Sequence, residues 1–227
     1  MTDTTPWVPV ALSTSIEPAT SAGTRIDGVE YVVWRDDEGK PHVWEDRCPH
    51  RGMRLSFGFV RGDQIACLYH GWRYDSAGQC RHIPAHPDLD VPKTIKVPTF
   101  AVAEAGGLIW MAPSESADQL SLPALPNDLL SVRSLYVDAS LEFCRDQLAT
   151  NCPPHMAEIE ISVLSPFCLQ LDAGDKVLVI ALQPVATDRT ALHVLASGQV
   201  STEARVELAI WTAGLRFMLE HSFAKAA

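Results

Sequence analysis

The chain has 227 residues, a length that fits one or two domains and can bury a sizeable core. Hydrophobic residues make up 47% and charged residues 20%, an ordinary balance for a globular protein, and the apolar runs are strand-sized, which argues against a transmembrane helix. The formal net charge of −10 argues against a nucleic-acid backbone as partner. Residues 1–20 are polar and lack the basic and apolar segments of a secretion signal, so the expected location is cytoplasmic. In that reducing compartment scattered cysteines are expected as free buried thiols.

In chain order, residues 24–34 predict a strand, a turn at Asp27-Gly28 and a second strand. A polar hairpin tip at 35–40 leads to a strand over 41–45. Next comes Cys48-Pro49-His50-Arg51-Gly52. A strand at 64–67 then feeds Cys67-Leu68-Tyr69-His70-Gly71-Trp72. Each segment offers one thiolate and one imidazole, and sixteen residues, 51–66, lie between His50 and Cys67. The pattern C-x-H…C-x-x-H supplies what a Rieske [2Fe–2S] cluster needs: two thiolates on one iron and two imidazoles on the other, which raises the potential above that of an all-thiolate cluster. Zinc also accepts two thiolates and two imidazoles, but zinc-finger spacing groups cysteines with cysteines and histidines with histidines. Pro49 stiffens the first segment, and Gly52 and Gly71 let the backbone turn away after each. Further strands are expected at 94–97, 100–104 and 108–111, completing a small all-β domain with the two ligand loops at one end.

Residues 113–131 carry Pro113, Pro123 and Pro126 among Ser, Asp and Asn and predict a linker. Beyond it, 132–143 reads as a strand, 176–182 as a buried strand, 184–190 as a turn and 191–196 as another strand. Residues 203–223 have helical spacing, with Val206, Ala209, Ile210, Ala213, Phe217 and Leu219 mostly on one stripe. This half therefore predicts a small α+β domain, a sheet capped by a C-terminal helix. His82 and His86 flank Pro84 and read as loop histidines, and Asp146 reads as a helix cap or surface charge.

CPHRG followed by CLYHGW resembles the Rieske domain of the Rieske non-haem iron, or ring-hydroxylating, oxygenases. Arg54-Leu55-Ser56, Gly62-Asp63, Trp72-Arg73-Tyr74-Asp75 and Ile83-Pro84-Ala85 extend the likeness. The resemblance implies a Rieske domain over 6–112, the linker 113–131 and a truncated catalytic-like domain over 132–227. It implies Cys48, His50, Cys67 and His70 as ligands of a [2Fe–2S] cluster, with Trp72 and Tyr69 shielding it from water. It further implies a flavin reductase or ferredoxin as electron donor and a homo- or hetero-trimeric assembly, in which a full-length oxygenase subunit is a conceivable partner. The family's second iron, a mononuclear Fe(II) on two His and one carboxylate, needs a motif of the form Asn/Asp-x-x-Asp/Glu-x-x-His-x4-His. If Asn151 starts that motif here, Pro154 and Ala157 stand where a carboxylate and a histidine belong, and His155 is out of register. The expectation is an electron-transfer component without its own mononuclear iron. The alternatives are a complete oxygenase with atypical ligands, among them His155, and a non-catalytic companion subunit.

Overall fold

A computed structural model describes residues 6–112, 117, 120–148, 159–173, 176–197 and 201–226. The first half is all-β. It runs β1 (Val8–Leu12), β2 (Ser21–Ile26), β3 (Val29–Arg35), β4 (Pro41–Glu45), β5 (Phe59–Arg61), β6 (Gln64–Ala66), β7 (Arg73–Asp75), β8 (Cys80–His82), β9 (Ala101–Ala105) and β10 (Leu108–Ala112). The second half is α+β: β11 (Leu129–Val137), α1 (Leu141–Leu148), β12 (Glu160–Ser165), β13 (Cys168–Ala173), β14 (Lys176–Ala186), β15 (Arg189–Ser197) and α2 (Thr202–Ala226). Both halves match the fold class read from the sequence.

Three small antiparallel sheets, β1-β10-β9, β2-β3-β4 and β5-β6-β7-β8, build the first half, and one sheet in the order β11-β15-β14-β13-β12 builds the second. Along β14, Leu178, Ile180 and Leu182 face α1 and α2, while Val179 and Ala181 face the β1-β10 sheet beside Trp7, Leu12, Leu108 and Trp110. The second sheet is thus covered on both faces, which is why β14 and β15 read as continuous apolar runs rather than alternating ones. Backbone bonds add to the joint. At the β2–β3 turn, the Asp27 and Gly28 N–H groups donate to the Pro184 and Val185 carbonyls, each at 2.8 Å.

Several boundaries differ from the sequence reading. The strand expected over 132–143 stops at Val137, because Ser140 Oγ accepts from the Phe143 N–H (3.3 Å) and starts α1. Residues 94–97 make only an isolated bridge, Gln79 with Lys96, between Pro92 and Pro98. The turn expected over 184–190 contracts to Thr187-Asp188, and Pro184 stays in β14, opposite Thr190 beside a register shift. The expected linker lies partly outside the described residues, but Leu120, Leu122 and Leu125 pack against the shared core. The largest difference is in α2. Thr212, Leu215 and Leu219 are buried, and Leu208, Trp211, Met218 and Phe223 pack beside them. Val206, Ile210 and Phe217, which the spacing sets on one apolar stripe with Leu219, point to solvent. The helix is apolar on two faces, and the sheet takes the one with the larger side chains.

Candidate functional site

The first loop leaves β4 through Asp46, whose carboxylate accepts from the Ser56 N–H at 2.7 Å and the Ser56 hydroxyl at 2.6 Å. This clamp ties both ends of the segment that carries Cys48 and His50. The second loop is the β6–β7 hairpin connection, carrying Cys67 and His70. The two loops share one backbone design. The Cys48 N–H donates to the Met53 carbonyl (2.8 Å) and the Cys67 N–H to that of Trp72 (2.9 Å). The Gly52 N–H donates back to the Cys48 carbonyl (2.8 Å) and that of Gly71 to Cys67 (2.9 Å). Both glycines hold left-handed backbone, with φ of 72° and 69°, which any side chain would strain. Cysteine and glycine therefore stand four apart in each loop. The histidine takes the third place in one and the fourth in the other, so the two rings meet from different directions.

They do meet. The His50 and His70 ring centroids lie 4.7 Å apart at 62°. Trp72 stacks flat on His50, at 4.2 Å and 5°, and Tyr69 lies against His70 at 3.9 Å and 33°. The expected shields thus act on the imidazoles themselves. Leu68, Tyr69 and His70 are exposed, whereas Cys48 and Cys67 are 2% and 3% exposed. The thiols sit in an apolar cluster with Val32, Trp34, Trp44, Leu55 and Ile65, and among the described residues no member of that cluster lies beyond Val97. The arrangement is polar in the chemical sense: sulfur inside, nitrogen at the surface.

Electrostatics follow from that burial. Desolvation pushes the Cys67 thiol up, opposed by the Tyr69 and His70 backbone N–H groups that hydrogen-bond its sulfur, and the neighbouring Cys48 raises it further. Tyr74, which the sequence reading quoted only as part of a motif, places its hydroxyl 3.1 Å from Cys48 Sγ. Burial, then the Cys48 contact, raises its phenol well above the usual range, so the hydroxyl keeps its proton and has one to donate to Cys48 Sγ. The signal that could have found it is the period-two pattern of β7: Arg73 out, Tyr74 in.

The donor set fits a Rieske cluster. Among the described residues no three His, Cys, Asp or Glu side chains surround a single point. Two buried thiols with one half-buried and one exposed imidazole, two donors for each iron, are instead the division a binuclear cluster takes. Asn151, Cys152, Pro154, His155 and Ala157, the residues bearing on a mononuclear iron, lie outside the described residues. The other described cysteines, Cys80, Cys144 and Cys168, are buried free thiols. Burial lifts Cys144 to about 11 and Cys168 to about 12, which makes both inert packing groups.

His193 is a different kind of histidine. Gln183 Nε2 donates to the Arg25 carbonyl (2.7 Å) and to Thr24 Oγ1 (2.6 Å), which orients the amide. Its Oε1 therefore accepts from His193 Nε2–H at 3.0 Å, and Nδ1 accepts from the Ser134 hydroxyl at 2.7 Å. Burial lowers His193 to about 4, so it is a neutral structural group joining the two halves.

Comparisons with known proteins agree with this geometry. The Rieske [2Fe-2S] domain family matches residues 6–101. Oxidoreductase NdmD of Pseudomonas putida is 36% identical over 146 residues, covering 62% of this chain and 25% of that protein. The 4beta-methylsterol monooxygenase of Methylococcus capsulatus is 37% identical over 126 residues, covering 53% of this chain and 34% of that protein. The chain thus matches about a quarter to a third of the length of these relatives. Among solved structures, NdmA of Pseudomonas putida CBB5 superposes with a TM-score of 0.76 at 23% identity over 95% of this chain and 79% of that one. Apo dicamba monooxygenase gives 0.79 at 18% identity over 96% and 86%. At that identity the likeness speaks to the fold, and it takes in the α+β half as well. No helix among the described residues is long and apolar enough to cross a membrane. The chain thus carries a Rieske [2Fe–2S] domain over residues 6–101, and around it lies a fold similar to that of solved Rieske oxygenases.

Proposed function

We propose that this chain is a one-electron carrier of oxygenase type that delivers its electron to an iron centre on another chain. Residues 6–112 carry the electron, 113–131 are the linker, and 132–227 keep the frame of a shortened catalytic-type domain without its own mononuclear iron. The observation that supports it best is the sorting of donors: Cys48 and Cys67 in a sealed apolar cluster, His50 half-buried under Trp72 and His70 exposed. Cys48 and Cys67 would hold the inner iron of a [2Fe–2S] cluster, and His50 and His70 the outer one. That cluster supplies a single reversible electron. The chain does the rest. Trp72 fixes the His50 ring, the apolar cluster keeps water from the sulfurs, and the Tyr74 hydroxyl and the Tyr69 and His70 amides donate to them. Exposed Leu68 and Tyr69 beside His70 give a donor or acceptor an apolar landing next to the imidazole edge. A flavin reductase or ferredoxin is the fitting donor class, and a full-length oxygenase subunit, in the same trimeric ring or a transient complex, is the fitting acceptor. The cytoplasm is the fitting compartment.

Metal analysis with electron paramagnetic resonance of the reduced protein tests this reading. Two irons and two sulfides per chain, with no additional mononuclear signal, are expected. A third iron together with turnover of dioxygen would establish the second reading, a complete oxygenase, which the names of the relatives favour. In either case His70→Ala should lose the Rieske spectrum while Cys144→Ser keeps it.

A further inference from the structure

A polar groove of about 400 Å³ lies where the two halves meet, beside the first ligand loop. Arg25 of β2, Glu30 of β3, Arg54 and Phe57 line it from the first half, and Tyr136 of β11 and Arg189 of β15 from the second. Asp46 and Ser56, the clamp that ties both ends of the loop bearing Cys48 and His50, also border it. Leu68, Tyr69 and His70 are not among its lining residues, so the groove and the imidazole edge are separate surfaces.

The charges in the groove do not cancel. Asp46 is buried and spends both carboxylate oxygens on Ser56. Glu30 is one carboxylate shared by two guanidiniums, accepting from Arg25 Nη2 at 2.7 Å and from Arg54 Nε at 3.0 Å. Arg189 keeps only a loose pair with Asp138, at 3.6 Å, and its side chain is 51% exposed. Between Asp46 and Ser56 the loop adds exposed Arg47 and Arg51 and no further carboxylate, and neither arginine makes an ion pair among the described residues. A cationic groove thus stands on a chain whose net charge is −10. Two of its guanidiniums lie over exposed rings, Arg54 over Phe57 at 5.9 Å and Arg189 over Tyr136 at 5.5 Å. Arginine and aromatic side chains are the residues enriched where proteins meet. Small-molecule sites of this size are mostly enclosed and apolar, so an open groove lined by arginines fits the acidic surface of a protein instead.

We propose that this groove is the docking surface of the electron donor, which presents an acidic face to Arg25, Arg54 and Arg189. The proposal rests on the electron-carrier reading and adds to it separate faces for entry and exit. Arg54 follows Met53, whose carbonyl accepts from the Cys48 N–H at 2.8 Å, so one hydrogen bond joins the groove's own segment to the residue that bears the thiol. The donor is oxidised by one electron and the cluster reduced by one, with no bond made or broken. The imidazole edge stays free for the acceptor, in a trimeric ring or a transient complex. Attraction between groove and donor speeds their encounter and selects against donors with a basic face.

Calorimetric titration of the full-length, cluster-loaded protein with an acidic plant-type [2Fe–2S] ferredoxin, both oxidised, tests the contact without electron flow. Binding at about 20 mM salt is expected, weakening about tenfold or more by about 300 mM as the charges are screened. Arg189→Glu, far along the chain from both ligand loops, should weaken binding about tenfold, whereas Arg189→Lys and Leu68→Ser should each change it by no more than about twofold. Stopped-flow reduction by the reduced ferredoxin, whose potential lies below the Rieske range, should slow in the same order. Reduction by dithionite should be equal in all variants, which separates loss of docking from damage to the cluster. No binding at low salt, binding indifferent to salt, or wild-type binding by Arg189→Glu overturns the proposal. So does Leu68→Ser weakening binding more than Arg189→Glu, which moves the donor to the imidazole edge. A third iron with turnover of dioxygen would overturn the carrier reading alone, because a complete oxygenase needs the same donor on the same groove.

Discussion

Tyr74 places a donor hydroxyl 3.1 Å from Cys48 Sγ inside a core that excludes water. A hydrogen bond to a cluster thiolate stabilises the more negative, reduced state and so raises the potential. Tyr74→Phe should therefore keep the cluster and lower its potential by on the order of 40 mV, about 1 kcal/mol for one electron, in a redox titration. The buried His193 gives a second prediction, with its sign fixed by its depressed value. In the unfolded chain a histidine titrates near 6.5, and in the folded chain His193 titrates at about 4. Between these values the unfolded chain binds the extra proton, so stability is full above about 6.5 and falls as pH drops toward 4, by about 3 kcal/mol. Chemical unfolding of the wild type and of His193→Gln across this window should show that slope in the first and a shallower one in the second. At this scale the proposed ligands were legible and their supports were not. Cys48, His50, Cys67 and His70 announce themselves by residue type and spacing, whereas Tyr74 acts on a thiol 26 positions away.

Elements show the same division for a different reason. β14 and β15 were visible as apolar runs, and Asp27-Gly28 as a turn, because a run or a turn pair is local information. The strand-to-helix change at Ser140 was missed because Ser140 is a cap only if the chain behind it helps to bury Leu148 and Cys144. Ser140→Ala should cost about 1 kcal/mol by loss of that cap, read as a lowered denaturation midpoint. In α2 the spacing marks an apolar stripe, but burial takes a different face into the core. The two are separable by truncation. Leu219→Ala, in the buried face, should cost about 2–5 kcal/mol, while Ile210→Ala should change the stability of a single chain by no more than about 0.5 kcal/mol.

Across the whole molecule, the two halves share one core. Trp7, Leu108 and Trp110 from the first pack with Cys168, Val179 and Leu195 from the second, and the Gln183–His193 network crosses the same joint. Calorimetry should accordingly show one unfolding transition rather than two. Trp110→Ala, which empties the centre of the joint, should lower the stability of both halves together by about 3–5 kcal/mol. This coupling seats the half that carries the two ligand loops on the second sheet and leaves His70 exposed. The cores remain chemically distinct: the thiols lie in a cluster drawn from residues up to Val97, so truncations in α2 should leave the cluster's spectrum intact.

The sequence by itself carried the paired thiol and imidazole motifs that fit a Rieske [2Fe–2S] cluster. Two loops, each with a cysteine, a histidine and a turning glycine, can be read without a fold, because ligand identity and short spacing are local properties of the chain. It also determined the order of an all-β half and an α+β half. Only the tertiary structure decided which groups donate to the sulfurs, which way the His193 amide network runs, which face of α2 is buried and how the halves join. Each of those depends on partners tens of residues apart, brought together by burial rather than by spacing.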